Sequence, residues 1–444
     1  MKKSKFNIFL KDSNEEKFVL FNSKTTALVL MNKEEFELYR ELELKKFVTN
    51  NDDDKKFLLE LKKGEFIIDS DVDEIEVFKY LQNIYKFSKE SISLTIAPTL
   101  GCNFGCNYCY QGEHNSFSKM SLEVQNQIID FVKSNISKIS AFDVTWYGGE
   151  PLLAIDVIRR LTSEFKKICS ENNVIYNASI ITNGYYLNKD IASEFSELSI
   201  RMAQVTLDGN KDYHDSKRAL KNGDGTFEKI ISNLIEIKDV FPNVSIRVNT
   251  DKLNSNNVFE IIDILKENNL IDKYIPYLGY VESTNDFYDD DKCLSIKDFS
   301  EVNSKFTSKI SRTININPSY PQVRFNSCIA DSVSGYVIDP DGKLYKCWCD
   351  IGFDEYSVGN IKDGINKYNR IIEYFNYDVC EDETCKSCNI IPLCLGGCPR
   401  KRVDSGNNGH CYEIKYSLLE KLSCFINDKI DSDKYLDFKF VNNI

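Results

Sequence analysis

The sequence lacks three features, and each absence excludes a class of protein. No run of eighteen or more apolar residues occurs in its 444 residues, so a membrane-spanning helix is not expected. Positive charge is in deficit, since 56 Lys and Arg against 68 Asp and Glu give a net charge of −12, which argues against a phosphate-binding surface. The start, MKKSKFNIFLKDSNEE, does not read as a signal peptide, because its apolar run is short and is followed by acids. We therefore expect a cytoplasmic protein with no membrane or nucleic-acid partner.

Cysteine, in contrast, is abundant, with 15 in the chain. The cytosol keeps thiols reduced, so a disulfide framework is a poor explanation and metal binding or catalysis is favoured. Three cysteines lie between Cys102 and Cys109, and ten lie between Cys328 and Cys424. Cys169 and Cys293 stand apart from both clusters, and we interpret them as ordinary thiols.

The predicted elements divide the chain into four segments. Residues 1–88 are expected to form a small α+β domain, with a strand pair and helices separated by an acidic break at TNNDDDKK. Residues 89–290 alternate six strands with helices, which indicates a parallel sheet, either doubly wound or part of a β/α barrel. Residues 291–324 are predicted to be a linking helix. Residues 325–444 are rich in Cys, Gly and turns, so metal is expected to replace much of their core.

The loop GCNFGCNYCY follows the first strand of that sheet, at the end where such folds bind ligands. A structural zinc site would need His114 to complete a set of three cysteines and one histidine. A redox dithiol would use Cys106 and Cys109 and leave Cys102 unexplained. A four-iron cluster held by three thiolates would leave one iron open for a small-molecule ligand.

The spacing CxxxCxxC, with an aromatic residue before the last cysteine, resembles the signature of the radical S-adenosylmethionine (radical SAM) superfamily. The motifs GGEP, ITNG and TLDG follow in the family's order, each at a predicted strand end, and HD…R comes after them. The resemblance implies a partial (β/α)6 barrel whose open iron binds SAM, and a 5′-deoxyadenosyl radical that abstracts hydrogen from a substrate. By motif position, the residues expected near SAM are Tyr108, Gly148, Gly149, Glu150, Asn183, Thr206 and Arg218. His214 is expected to be a structural hydrogen-bonding residue.

The C-terminal cysteines resemble the SPASM extension found behind many radical SAM domains, which carries two auxiliary four-iron clusters. The resemblance implies that one cluster is held by Cys385, Cys388, Cys394 and Cys411. The other would be held by Cys328, Cys347 and Cys398. With the cluster held by Cys102, Cys106 and Cys109, the expected cofactors are three [4Fe-4S] clusters and SAM.

The second auxiliary set has only three thiols, because position 322 is Gln where some members of the family have Cys. Its fourth ligand is either Cys349, Cys380 or absent, and an open cluster could bind a substrate thiolate. A pair of zinc-ribbon sites is the alternative for this region, although seven cysteines divide poorly into two tetrahedral sites.

SPASM enzymes mostly act on peptides or proteins. The sulfatase-maturing branch has an Asp directly after the cysteine equivalent to Cys347, but here Trp348 takes that place and Asp350 is displaced by two residues. Sulfatase maturation is therefore disfavoured. Residues 1–88 suit a winged-helix-like domain that binds a peptide leader as an added strand, or else an extension that caps the barrel. We expect a maturase that forms a sulfur-to-carbon thioether in a ribosomally made precursor peptide.

Several other functions stay open. Carbon–carbon or aromatic cross-linking and epimerisation are the nearest, followed by sulfatase maturation and a small-molecule dehydrogenase of the superfamily. A non-catalytic iron–sulfur electron-transfer protein would have no use for the SAM motifs. The expected partners are the precursor peptide with its leader and a reducing electron donor such as flavodoxin or ferredoxin. No residue is assigned as a catalytic base.

Overall fold

The structure is a computed structural model that describes residues 1–42, 51–112, 118–314, 320–326, 328–406, 409–429 and 436–441. No helix among these residues has the length and apolar character needed to cross a bilayer. The chain forms two compact units. The first contains Met1–Lys86, Asn315–Cys328 and Asn376–Ile444, and the second contains Phe87–Ile314 and Ile329–Phe375. The division into four segments stays a prediction, and the two units run across it.

The N-terminal part of the first unit combines short strands with three helices. In chain order these are β1 (Lys2–Lys3), β2 (Asn7–Asp12), β3 (Phe18–Asn22), β4 (Leu28–Met31), α1 (Lys33–Glu41), α2 (Asp52–Lys63), β5 (Ile67–Ile68) and α3 (Glu74–Lys86). The acidic run predicted to be a break is instead the first turn of α2, capped by the Asn51 side chain. Carboxylates are favourable there because the helix dipole is positive at its N-terminus.

The second unit begins with six parallel strands joined by helices. They are β6 (Ser91–Ile96), α4 (Leu122–Asn135), β7 (Ala141–Trp146), α5 (Ile155–Glu171), β8 (Ile175–Thr182), α6 (Lys189–Glu194), β9 (Ile200–Thr206), α7 (Lys211–Lys217), α8 (Phe227–Ile237), β10 (Val244–Thr250), α9 (Glu260–Glu267), β11 (Pro276–Tyr280) and α10 (Ile296–Ile314). Strands β6 to β11 are neighbours in chain order. A doubly wound sheet would reverse its order at a switch point, so the predicted partial barrel is confirmed.

Four short strands extend this sheet beyond β6. They are β12 (Gly335–Ile338), β13 (Lys343–Tyr345), β14 (Gly359–Asn360) and β15 (Gly364–Ile365), followed by α11 (Asn369–Asn376). Strand β12 is parallel to β6, and the later pairs are antiparallel. The core between sheet and helices is apolar, with Trp146, Phe142 and Phe165 fully buried. Cys169 lies in this core at 2% exposure, which confirms its interpretation as an ordinary thiol.

The C-terminal residues return to the first unit. They form α12 (Ile391–Cys394), α13 (Pro399–Asp404), α14 (Ile414–Lys429) and β16 (Phe438–Phe440). Strand β16 pairs with β2, so the sheet order is β16-β2-β3-β4 and β4 is an edge strand. Leu10 and Phe21 of the N-terminal strands share an apolar cluster with Leu418 and Leu422 of α14.

Candidate active site

The three-cysteine loop follows β6 and is anchored by backbone hydrogen bonds. The Gly105 N–H donates to the Ala219 carbonyl at 2.9 Å, and Phe104 forms an isolated β-bridge with Leu220. Cys102, Cys106 and Cys109 are all partly buried and line one cavity of about 380 Å³. That volume falls within the range of small-molecule sites, so the cavity can hold a ligand beside the thiols. It lies entirely within the second unit.

The GGEP turn after β7 forms the wall next to the loop. The N–H of Gly149 donates to the Thr99 carbonyl, and that of Glu150 donates to the Gly101 carbonyl at 2.9 Å. A side chain at Gly149 would place its Cβ 2.3 Å from the Gly101 oxygen, and one at Gly148 would place it 2.2 Å from the Thr99 oxygen. Both glycines line the cavity. They allow two backbone segments to approach more closely than any side chain would permit.

Glu150 points away from the cavity. It is fully buried, and its carboxylate accepts hydrogen bonds from the Thr182 hydroxyl at 2.7 Å, from the Asn183 N–H at 2.7 Å and from the Leu152 N–H at 3.0 Å. It is absent from the cavity lining. Its carboxylate is thus engaged with β8 instead of lining the cavity, and its place near SAM stays a prediction. Glu150 is a positioning residue that ties the GGEP turn to the end of β8.

Glu150→Gln is expected to flatten the pH dependence of stability between about pH 4.5 and 7. Burial raises the pKa of Glu150 from 4.5 to about 7, so within this window the folded chain holds a proton that the unfolded chain has released. This contribution to stability is fully present below pH 4.5 and is lost as the pH rises through 7. Glutamine does not titrate. Denaturant midpoints measured across the window check this, and parallel curves for the two proteins would contradict it.

The Tyr108 hydroxyl has three hydrogen-bond partners. The hydroxyl donates to Asp208, and it accepts from Arg218 Nη1 at 2.8 Å and from Asn249 Nδ2 at 3.1 Å. Asp208 is fully buried, and burial raises the pKa of its carboxyl. The Tyr108 hydroxyl is thus engaged, which leaves its ring for a ligand. Arg218 keeps a buried Nε with no hydrogen-bond partner among the described residues.

His214 supports this network without reaching the cavity. Its Nδ1 accepts from the Asp208 N–H at 3.1 Å, which places the ring proton on Nε2, 3.0 Å from the Thr226 hydroxyl oxygen. That hydroxyl donates to the Arg218 carbonyl. Burial holds the pKa of His214 well below its usual range. The neutral imidazole is a structural hydrogen-bonding group, and that prediction is confirmed.

Asn183 and Thr206 lie at the ends of neighbouring strands and both line the cavity. The Asn183 amide donates to Asn103 Oδ1 at 2.8 Å, and its Nδ2 lies 3.8 Å from the Cys102 sulfur. Its own Oδ1 accepts from the Tyr185 N–H, as in a turn. Asn183 therefore orients the first thiol as well as facing the ligand space. Its contact with SAM, like that of Thr206, stays a prediction.

The donor set fits a cluster with SAM. Burial raises the pKa of Cys102 to about 12 and that of Cys106 to about 11, so these groups are neutral thiols that would release protons on binding metal. Two buried donors, Arg218 Nε and Asn103 Nδ2, have no hydrogen-bond partner among the described residues. Within the described ranges, no three His, Cys, Asp or Glu converge on a single ion position. Ligands of a cube need not converge in this way, because each binds a different iron. The alternative ligand His114 lies outside the described residues.

The cavity is also lined by residues that the sequence did not single out. Gln204, Arg247 and Glu282 line it from β9, from β10 and from the turn after β11. The signal for the first two is the alternation of partly exposed polar residues with buried apolar ones along their strands. Trp348 and Cys349 also line the cavity, and the Trp348 ring lies 5.6 Å from that of Tyr147.

Cys347 and Asp350 flank these wall residues. A hydrogen bond with the Cys349 thiol, together with burial, raises the pKa of Cys347 well above its usual range. Asp350 is fully buried beneath the wall, where it lies 3.7 Å from Arg370 and 3.4 Å from the Tyr374 hydroxyl. Asp350 does not line the cavity. It therefore does not take the place of the aspartate that the sulfatase-maturing branch has at the position of Trp348.

The cysteines predicted to hold the first auxiliary cluster all lie in the first unit; they are Cys385, Cys388, Cys394 and Cys411. Burial raises the pKa of Cys394 and Cys385, and electrostatic interactions with the other thiols of the set add to both shifts, so these side chains lie near one another. None of the fifteen cysteines, all among the described residues, forms a disulfide. Cys328 and Cys398 belong to the first unit and Cys347 to the second. The grouping of these three stays a prediction.

Comparison with known proteins points to one family. Residues 96–267 match the model of the radical SAM superfamily. A cysteine-type anaerobic sulfatase-maturating enzyme from Clostridium novyi is 27% identical over 360 residues, which are 72% of this chain and 91% of that protein. A serine-type anaerobic sulfatase-maturating enzyme from Bacteroides thetaiotaomicron is 25% identical over 351 residues, covering 69% and 82%.

Two solved structures share the fold. Native anSMEcpe with bound AdoMet and the peptide Cp18Cys superposes with a TM-score of 0.61 at 21% identity, covering 76% of this chain and all of that one. Streptococcus suis SuiB bound to its precursor peptide SuiA superposes with a TM-score of 0.53 at 14% identity, covering 93% and 98%. The family match spans the cysteine loop, the GGEP turn and Arg218. The chain therefore carries a radical SAM superfamily domain over residues 96–267, in a family that uses SAM together with a [4Fe-4S] cluster.

Proposed function

We propose that this chain is a maturase that forms a thioether cross-link between sulfur and carbon in a ribosomally made precursor peptide. The observation that supports this most directly is the cavity, which is lined by the three-thiol loop and the SAM motifs together with Trp348 and Cys349. When bound, the clusters and SAM would supply the radical that removes one hydrogen atom from a carbon of the peptide, and an auxiliary cluster would accept one electron as the S–C bond forms and the cysteine thiol releases its proton to solvent. The peptide loses two hydrogens in total.

The residues of the chain position the reactants. Cys102, Cys106 and Cys109 would hold three irons of the cube and leave the fourth to SAM. Gly148 and Gly149 offer backbone groups at close range, because no side chain intervenes. Thr206 and Arg218 would hold the methionyl end of SAM, with Arg218 set in place by its hydrogen bond to Tyr108. Each of these residues binds or orients a reactant, and none transfers a proton.

The auxiliary clusters belong to the same proposal. Cys385, Cys388, Cys394 and Cys411 would hold one of them, and the second would use Cys328, Cys347 and Cys398. Of the two candidates for the missing fourth ligand, Cys349 is better supported, because its thiol interacts with that of Cys347 and contributes to the raised pKa of Cys347. Cys380 is packed in an apolar cluster with Phe6 and Phe78. A reducing partner such as flavodoxin or ferredoxin would supply electrons.

The N-terminal sheet supports a peptide substrate with a leader. Strand β16 covers one edge of the sheet, and β4 forms the other edge, where an added strand could pair. The fold of SuiB, a protein solved with its precursor peptide, covers 93% of this chain, whereas anSMEcpe covers 76%. Removing residues 1–85 would expose the core that they share with α14, so deletion is a poor test of leader binding.

Sulfatase maturation is the second candidate, because relatives covering about 70% of the chain carry that name. Two observations weigh against it. Trp348 occupies the position where that branch has an aspartate, and Asp350 is buried against Arg370 rather than facing the cavity. At that position, therefore, there is no carboxylate to accept a proton from the substrate.

The test is the mass of a short cysteine-containing peptide encoded beside this gene, after anaerobic reaction with the reconstituted enzyme, reductant and SAM. We expect a loss of two hydrogens per cross-link, with one cysteine no longer alkylatable. Loss of two hydrogens with every cysteine still alkylatable would replace the thioether by a carbon–carbon or aromatic link. An unchanged mass in ordinary water, with deuterium gained from heavy water, would replace cross-linking by epimerisation. Conversion of a sulfatase-derived peptide alone would favour the second candidate.

A further inference from the structure

The cavity contains a second guanidinium besides that of Arg218. Arg247 lies on β10, directly opposite Thr206 of β9, and lines the cavity. Its Nε donates to Asn249 Oδ1 at 2.7 Å. Among the described residues, no carboxylate forms an ion pair with it. The buried Asp208 interacts with Arg247 electrostatically but is already hydrogen-bonded to Tyr108 and to the Asn249 N–H. A guanidinium inside a barrel with no carboxylate in direct contact carries a desolvation cost, which a bound anion would offset.

The neighbouring strand provides space for this side chain. A Cβ at Gly279 of β11 would lie 2.5 Å from Arg247 Nε, 2.6 Å from Cζ and 2.7 Å from Nη2. The guanidinium therefore lies flat against the β11 backbone, where only glycine leaves room. Asn249 orients Nε and in turn donates to the Tyr108 hydroxyl, so the Nη groups are the donors left for a ligand.

A second donor lies on the adjacent strand. Gln204 of β9 lines the same cavity, and its Oε1 accepts from the Tyr277 hydroxyl, which leaves its Nε2 to donate. A planar guanidinium fork with one amide donor matches a carboxylate. A phosphate dianion would need more positive charge than one free fork provides, since Arg218 is engaged with Tyr108 and the same wall carries Glu282.

We propose that Arg247, oriented by Asn249 and seated on Gly279, binds a carboxylate of the substrate, from either an acidic side chain or a chain terminus. The identification of the substrate as a peptide rests on the proposed function. The carboxylate site itself does not rest on the proposed function, because it follows from the hydrogen-bond donors in the cavity. Arg247 would then be a specificity residue that places the substrate beside the region proposed for SAM, since it pairs with Thr206 on the neighbouring strand.

The test uses the reconstituted full-length protein with SAM bound and three small probes observed by ligand NMR. N-acetylalanine presents a terminal carboxylate. N-acetylaspartate α-amide presents only a side-chain carboxylate. N-acetylaspartate diamide, in which both acids are amides, is the neutral control. We expect at least one acid to bind and the neutral diamide not to bind. The acid that binds identifies the source of the carboxylate. Failure of both acids to bind better than the diamide would overturn the proposal.

Two variants locate the binding. Arg247→Gln is expected to weaken binding of the acid at least about tenfold, the loss typical of one charged hydrogen-bond pair. Gly279→Ala keeps the charge but displaces the guanidinium, so it should weaken binding in the same direction. Arg201→Gln, at an exposed position of β9, is the matched control and should bind the acid like the unaltered protein. Equal binding by all three variants would place the acid elsewhere.

SAM binding measured by calorimetry separates this role from that of Arg218. Arg247→Gln should keep its affinity for SAM within about twofold, whereas Arg218→Gln should lose at least about tenfold. An equal loss in both variants would mean that Arg247 holds SAM instead, which overturns the inference. Acid binding without peptide cross-linking would leave this site standing and refute the maturase proposal, so the two failures can be distinguished.

Discussion

Cys106→Ala is expected to abolish SAM cleavage and to lower the iron content of the reconstituted protein by about four atoms per chain. The loop supplies three thiols to the cavity, and the fourth cysteine of the lining, Cys349, belongs to the segment with Trp348 and not to the loop, so we do not expect it to replace the lost ligand. A cube held by two thiolates would have two open irons and would be lost to solvent. Iron analysis and the formation of 5′-deoxyadenosine under reducing conditions measure the two effects.

Cys293→Ala is the matched control, since this thiol is also partly exposed and does not line the cavity. It should retain the iron content and SAM cleavage of the unaltered protein. If Cys106→Ala keeps its full iron content and cleaves SAM, the cluster is held elsewhere. The assignment of the loop as the SAM-binding cluster site would then be wrong.

Gly149→Ala is expected to destabilise the folded chain by about 3 kcal/mol or more and to abolish SAM binding. The new Cβ would lie 2.3 Å from the Gly101 oxygen and 2.4 Å from the Leu100 oxygen. Both contacts are with backbone, which cannot move aside as a flexible side chain can. The turn and the cysteine loop would have to separate, which breaks the hydrogen bonds from Gly149 and Glu150 to that loop. Chemical denaturation and calorimetry with SAM measure the two losses.

Gly105→Ala tests whether the clash is the cause. Gly105 lies in the cysteine loop that the GGEP turn contacts, is exposed, and a Cβ there would meet nothing closer than 3.9 Å. Neither glycine has a left-handed backbone, so the two substitutions differ mainly in the space available. We expect a change within about 0.5 kcal/mol at Gly105. Equal stability losses at the two positions would mean that glycine serves loop flexibility rather than close approach.

The sequence predicted the barrel well because its signals are local. Each of the six strands is a short apolar stretch followed by a turn motif, and β10 spans Val244–Thr250 as its pattern indicates. Helix α7 was not predicted, since Lys211–Lys217 is short and polar and depends on the Asn210 cap. The acidic start of α2 read as a break for a related reason, because charge at a helix end looks like a loop in a one-dimensional pattern.

In the candidate site, too, the sequence predicted some positions and could not predict others. The thiols and the motif residues Thr206 and Asn183 were placed correctly at strand ends, because parallel strands bring those ends to one edge of the sheet. Glu150 was expected near SAM by motif position, and the structure shows that its carboxylate is hydrogen-bonded to the end of β8 and to the turn that follows it. The direction of its side chain depends on which strand lies beside it, and a motif does not contain that information.

The sequence by itself determined the alternation of strands and helices, the thiol spacing and the order of the motifs, since each of these depends on neighbours within a few residues. Tertiary structure alone decided the pairing of β16 with β2, the burial of Asp350 and the seat of Arg247 on Gly279. Those contacts join residues far apart in the chain. They arise from strand order and register, which place side chains from different strands against one another regardless of their separation in sequence.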